Sequence, residues 1–168
     1  MSSLFEKRRS IRRFAPGKPV TRGQLERLLA AAMLAPSACN MRPWEFVVIT
    51  NRGVLDRIAR VHASVKLCDT AAAAIVVVAA PQSGRAEGYF QQDCAAATEN
   101  ILLEVAALGL GACWCGVYPR EARVAALREI LGITDPKKIP FNVIAIGFPA
   151  ENPPMRGFFE PSKIRWVE

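Results

Sequence analysis

The spacing of apolar residues changes several times along this chain, and each change marks an element. Leu25, Leu28, Leu29, Ala32 and Met33 recur at helical intervals. The Thr21-x-x-Gln24 capping signature opens that run and Pro36 stops it. Ser3-x-x-Glu6 is a second capping signature, and it predicts a short helix holding Leu4 and Phe5. Asn51 is placed to cap a helix from Arg52 to about Val65. A long helix is expected from about Gly88 to Leu108, closed by Gly109, which can adopt the left-handed conformation of a helix end. Pro119 is expected in the first turn of a last helix that stops near Leu131-Gly132.

Between these runs the pattern turns to strands. Trp44–Thr50 is rich in aromatic and β-branched residues, and Ala74–Ala79 carries Ile75-Val76-Val77-Val78 without a polar break. Ala112–Tyr118 and Asn142–Gly147 read as two more strands. Residues 10–14 read as extended, with Ser10, Arg12 and Phe14 on one side and Ile11 and Arg13 on the other. Ser37–Pro43 and Pro81–Ala86 are loops, and a proline-rich tail carries Lys163 and Arg165. Helices alternate with about four strands, so a layered α/β arrangement in one domain, residues 1–168, is expected. The pattern leaves the strand directions open.

Composition narrows the chemistry. The longest apolar run, Ala71–Ala80, is too short for a bilayer span of roughly 20 residues. No apolar export segment follows the basic start, so a cytoplasmic protein is expected. The net charge of +7 is focal: residues 1–27 hold eight Lys and Arg against Glu6 and Glu26, leaving +1 for the rest. A nucleic-acid binder more often spreads a basic stripe over an element, with aromatics between. A small anion suits a focal cluster better, because guanidinium groups fork onto phosphate oxygens. The cluster is Arg8-Arg9-Ser10-Ile11-Arg12-Arg13.

Five cysteines without a C-x-x-C pair are expected to be free thiols, most of them buried. Cys113 and Cys115, two apart on a strand, should point to one face. His62 is the only histidine and reads as surface or core filler, so no metal site is expected. With one histidine, no nucleophile elbow and no Walker pattern, an enzyme of this composition would take its chemistry from a cofactor. Gly109-x-Gly111 precedes a strand rather than following one, which argues against a dinucleotide fold.

Four segments together resemble the nitroreductase family of flavin enzymes. They are Arg8-Arg9-Ser10-Ile11-Arg12-x-Phe14; Pro36-Ser37-x-x-Asn40-x-x-Pro43-Trp44; Gln92–Leu103 with Leu108–Pro119; and Ile139–Pro149. The resemblance implies an α+β fold, a three-layer α/β/α sandwich around a mostly antiparallel sheet, in an intertwined homodimer that binds FMN at the interface. It implies that Arg8 and Arg12 contact the phosphate and the pyrimidine edge, with Arg9 and Ser10 on the phosphate and ribityl side. Pro36, Ser37 and Asn40 would reach the ring from the partner, and Arg42 stands where the family often has glutamine. Backbone amides at Cys115 and Gly116 would face the N5 and O4 edge, and Lys163 and Arg165 would complete the phosphate site.

The activity implied is electron transfer from NADH or NADPH to an electron-poor acceptor such as a nitroaromatic or quinone, in ping-pong order. No side chain is assigned as catalytic, since the chemistry lies on the flavin. Dehalogenation, ring oxidation and flavin destruction on the same scaffold, a non-catalytic redox sensor, and, most distantly, a nucleic-acid binder are the other readings. The chain is shorter than many members, which implies a reduced cover over the site and leaves the acceptor open.

Overall fold

A computed structural model describes residues 3–81 and 83–168, so Gln82 of the 81–86 loop lies outside the described residues. Four strands, β1 (Trp44–Ile49), β2 (Ala73–Ala79), β3 (Gly111–Gly116) and β4 (Ile139–Gly147), form one sheet in the order β1-β2-β4-β3. Every neighbouring pair is antiparallel, which fills in the directions that hydrophobic pattern leaves open.

Alternation along β2 explains the layers, because a strand buried on both faces sends successive side chains to opposite cores. Ala73, Ile75, Val77 and Ala79 face one side, with Leu25, Leu28 and Ala32 of α2 (Arg22–Met33) and Cys94, Ala97, Ile101 and Val105 of α4 (Phe90–Ala107). Ala74, Val76 and Val78 face the other, with Leu55 and Ile58 of α3 (Arg52–Ala59) and Leu127 of α5 (Glu121–Leu131). The result is a helix–sheet–helix sandwich.

Both predicted capping boxes form, at Ser3 with Glu6 for α1 (Leu4–Lys7) and at Thr21 with Gln24 for α2. Gly109 takes φ of +67°, the left-handed end predicted for α4, and Gly132, at the predicted stop of α5, takes +66°. Met33, on the predicted apolar stripe of α2, is 52% exposed.

Four local expectations change. The helix from Arg52 ends at Ala59, with Arg60 as its cap. His62 then turns the chain extended, and a separate 3-10 helix, Ala63–Asp69, buries Val65 and Cys68 at its three-residue spacing. The ring nitrogens of His62 are buried without a partner, and burial, aided by Arg123, lowers its pKa. Pro119 lies outside α5, joined to Tyr118 by a cis peptide, and Arg120 is the cap. Strand β4 begins earlier than the polar Asn142 suggests. Its Pro140 is accommodated where the β2–β4 register shifts at Val77 and Val78, since proline cannot donate to a regular ladder. The carboxamide of the fully buried Asn142 donates to Thr98 Oγ1 at 2.8 Å.

The 10–14 segment departs from simple alternation. Ile11 and Phe14 are both buried, three apart, while Arg12 and Arg13 are exposed. Two glycines cause this. A Cβ at Gly111 would lie 2.8–2.9 Å from Ile11 side-chain atoms, and one at Gly147 would lie 2.9–3.1 Å from Phe14. The bare backbone is therefore what seats the arginine segment on the sheet. Gly111→Ala is expected to lower stability by about 1–3 kcal/mol, the cost of overpacking. A urea midpoint equal to that of the unsubstituted protein would disprove the seating.

Candidate functional site: an arginine cluster at the edge of the sheet

After α1 the chain runs extended beside β3. Ser10 forms a parallel bridge with Ala112, and Ile11 N–H donates to the Ala112 carbonyl at 2.8 Å. Glu151 then fixes the next two residues: its Oε1 accepts from the N–H groups of Arg12 (2.5 Å) and Arg13 (3.1 Å). Its Oε2 accepts from Arg13 Nε at 3.2 Å. These donors, the Arg12 N–H first, hold its carboxyl below the usual carboxylate range. Phe14 closes the segment with a bridge to Pro149.

The guanidinium groups are held apart. Arg8 Nε pairs with Glu99 of α4 at 3.2 Å. Arg9 donates to the Arg8 carbonyl at 2.6 Å, and Arg12 to the Ser10 carbonyl at 3.3 Å. Arg8, Arg9, Ser10 and Arg12 line a hollow of about 160 Å³, closed by Pro153, Pro154 and Arg156 from the tail. One anion there meets several forked donors.

Arg12 also lines a second hollow, of about 340 Å³, with Cys113, Trp114, Cys115 and Gly116 at the end of β3. Ala63, Ser64 and Leu67 of the 3-10 helix form its other wall. A Cβ at Gly116 would meet nothing within 4 Å, so open space lies over the backbone at that point. The sheet order leaves β3 at an edge, and among the described residues no strand covers it beyond the Ser10 bridge. A planar ring can approach this backbone while its phosphate reaches the arginines.

A larger cavity of about 460 Å³ lies elsewhere, lined by Lys18, Arg52 and Asp69 among others. Arg52 spends its donors there on Asp56 and on the carbonyls of Ala71 and Cys68, which ties the end of the 3-10 helix to α3. That is structural work.

The 36–43 loop is held by hydrogen bonds of its own and by one to α4. Ser37 Oγ accepts from Arg42 N–H and Asn40 Oδ1 from Arg42 Nε, both at 3.0 Å. Cys39, Asn40 and Arg42 have φ of +50°, +54° and +50°, a conformation that side chains other than glycine adopt reluctantly. Asp93 of α4, buried at 6% exposure, fastens the loop by accepting from Ala38 N–H at 3.0 Å.

Of the predicted residues, one chain gathers Arg8, Arg9, Ser10 and Arg12, and brings Arg12 to Cys115 and Gly116. Pro36, Ser37, Asn40 and Arg42 line neither hollow. Lys163 and Arg165 do not line them either, and Lys163 pairs with Glu160 at 2.5 Å. Sequence reasoning missed Arg156, Asp93 and the wall at Ser64. Expecting a continuous helix to Val65 hid that wall. The only signal for Asp93 was a carboxylate in the first turn of a long helix. Among the described residues no cluster of His, Cys, Asp and Glu could hold a metal, and no helix is long and apolar enough to cross a membrane.

The Nitroreductase family model matches residues 5–67 and 59–148. The chain belongs to the nitroreductase family. A relative from Methanothermobacter thermautotrophicus, named "Putative NADH dehydrogenase/NAD(P)H nitroreductase", is 43% identical over 157 residues, covering 94% of this chain and 81% of the relative. The crystal structure titled "Putative NADH Oxidase" from Clostridium acetobutylicum has a TM-score of 0.92 and 38% identity over 99% of both chains. A Desulfovibrio desulfuricans structure, titled a "putative nitroreductase in complex with fmn", has a TM-score of 0.80 and 28% identity, covering 98% of this chain and 94% of that one. The antiparallel sheet between helical layers is the family's fold, as the motifs implied.

Proposed function

We propose that the protein is an FMN-dependent oxidoreductase that takes reducing equivalents from NADH or NADPH and passes them to an electron-poor acceptor, in ping-pong order. One observation carries this reading: Arg12 joins an arginine-lined hollow to the open backbone at Gly116, a phosphate site beside a ring site. The family and the FMN-bound neighbour support it. FMN supplies two-electron hydride chemistry when bound.

The chain's own residues bind and orient. Arg8, Arg9, Ser10 and Arg156 hold the phosphate, and Arg12 supplies positive charge at the ring's pyrimidine edge, where it favours an anionic reduced flavin. The backbone at Cys115 and Gly116 sets the orientation at N5, and glycine permits the close approach. Lys163 and Arg165 line neither hollow of the single chain, and in the dimer they complete the phosphate site.

A homodimer with shared sites follows from what one chain lacks. The Pro36, Ser37, Asn40 and Arg42 loop comes from the second copy, as does cover for the tail. Phe158, Phe159 and Trp166 stand 81%, 77% and 78% exposed in the single chain, and an aromatic set of that size is normally covered.

Chromatography of the flavin released by denaturation, followed by anaerobic mixing with NADH or NADPH and reoxidation by quinones, nitroaromatics and halogenated phenols, tests the reading. FMN, bleached by a nicotinamide and restored by an acceptor, is expected. FAD, or a chain that binds no flavin on reconstitution, overturns it. FMN inert to both nicotinamides would make the protein a sensor.

A further inference from the structure

A buried oxygen without a donor loses what water would have given it, so each such atom asks for a reason. Among the described residues three side-chain oxygens are in that state: Gln91 Oε1, Asp93 Oδ2 and Asn142 Oδ1. Asp93 is the one carboxylate of the three, and it is 6% exposed. It stands in the first turn of α4, where the helix end favours negative charge. Its other oxygen, Oδ1, accepts from Ala38 N–H at 3.0 Å.

That donor opens a strained turn. Ala38 begins the 3-10 helix Ala38–Asn40, and Cys39, Asn40 and Arg42 follow with φ of +50°, +54° and +50°. Three left-handed side-chain residues within four positions persist only where the surroundings hold them. The bonds from Arg42 to Ser37 and Asn40 stay inside the loop. Its far end is tied at the Pro43 carbonyl, which accepts from Ala80 N–H at 2.9 Å and from Cys94 Sγ at 3.7 Å. Its near end is tied by Asp93, with the charge-assisted bond that a carboxylate makes to an N–H.

We propose that Asp93 is a positioning residue for the flavin ring of the other copy. Its carboxylate holds the turn in the strained form that carries Ser37, Asn40 and Arg42 across the interface. This rests on the shared-site reading given above. The same helix carries Glu99, which pairs with Arg8 at 3.2 Å. One face of α4 therefore steadies the chain's own arginine cluster, while Asp93, six positions earlier, steadies the loop lent to the second copy. Damage at Asp93 and damage at the arginines then fall on different sites of one dimer.

Asp93→Ala is expected to bind FMN about 10- to 100-fold more weakly, the range for losing a hydrogen bond to a charged group. Asp93→Asn should lie between it and the parent, because the carboxamide oxygen still accepts. The deciding readout is which second chain restores binding. Asp93→Ala and Arg12→Ala chains are refolded together in equal amounts, titrated with FMN, and the mixed dimers counted by native mass spectrometry. About a quarter of the sites should bind at parental affinity, since each mixed dimer keeps one intact site. Asp93→Ala mixed with Asn40→Ala should recover none, because both lesions lie in the lent loop. Ala38→Pro removes the donor and leaves Asp93 in place, and it should match Asp93→Ala in both mixtures. It also carries the test if Asp93→Ala does not refold. Ser37, extended at φ −143° and ψ 153°, suits the position before a proline. Arg12→Ala with Asn40→Ala is the control. If the control recovers binding but Asp93→Ala with Arg12→Ala does not, Asp93 serves no such role and the shared sites stand. Recovery in the Asp93→Ala and Asn40→Ala mixture, or parental affinity in Asp93→Ala and Ala38→Pro, also overturns the proposal. Failure of the control overturns the shared-site reading itself.

Discussion

Deleting residues 152–168 is expected to leave a folded chain that is monomeric and binds FMN at least about 100-fold more weakly, on the scale of losing two or more charged hydrogen-bond donors. The fold should survive, because both cores are complete without those residues: the last buried core side chain is Ile146. Glu151 is retained, so the N–H groups of Arg12 and Arg13 keep their acceptor. What goes is Arg156 from the arginine-lined hollow, Lys163 and Arg165, and the three exposed aromatic rings. Each ring buries about 150–250 Å² when covered, or roughly 4–6 kcal/mol gross at ~25 cal/mol per Å². Six rings in a dimer outweigh an association cost of about 4–15 kcal/mol.

Two narrower variants separate the roles of the tail. Replacing Phe158, Phe159 and Trp166 by serine should dissociate the proposed dimer while sparing every tail cation. Replacing Arg156, Lys163 and Arg165 by alanine should keep the dimer and weaken flavin binding. Light scattering and fluorescence titration read the two effects apart. A truncated chain that stays dimeric with unchanged flavin affinity would show that the tail serves neither role.

The sequence carried the layers and most element boundaries because those rest on local rules. The unbroken, β-branched run in β2 reads as a strand buried on both faces, and the capping boxes at Ser3 and Thr21 sit where their residues put them. The segments that sequence misread are set by tertiary contact. The 52–65 stretch has helical spacing throughout, yet it breaks at Arg60 because Val65 and Cys68 pack under the sheet from a separate 3-10 helix. In the same way Ile11 and Phe14 both turn inward only because Gly111 and Gly147 make room some hundred residues later. The arginines were legible as a cluster of charge. Arg156 was not, because nothing local distinguishes one arginine in a proline-rich tail. Asp93 was hidden for a similar reason, since its acceptor role depends on a loop 55 positions away in sequence.

Mixing an Arg12→Ala chain with an Asn40→Ala chain should restore flavin binding that neither homodimer has. From sequence, a helix over 22–35 at ~1.5 Å per residue sets the loop about 20 Å from the arginines. The fold supplies a stronger reason. Both parts are fastened to α4, the loop through Asp93 and Arg8 through Glu99. Six residues along a helix amount to about 9 Å of rise but a turn of about 120°, so the two anchors face different directions. A second copy related by a two-fold axis can bring its loop to the first copy's arginines without bending either helix. Random pairing of the two variants makes half the dimers mixed, and each mixed dimer holds one intact and one doubly damaged site. About a quarter of the sites in the mixture should therefore bind as in the unsubstituted protein. Flavin titration of the refolded mixture, with mixed dimers counted by native mass spectrometry, gives the number. If mixed dimers form and binding stays at the level of the parents, each site belongs to one chain and the shared-site reading fails.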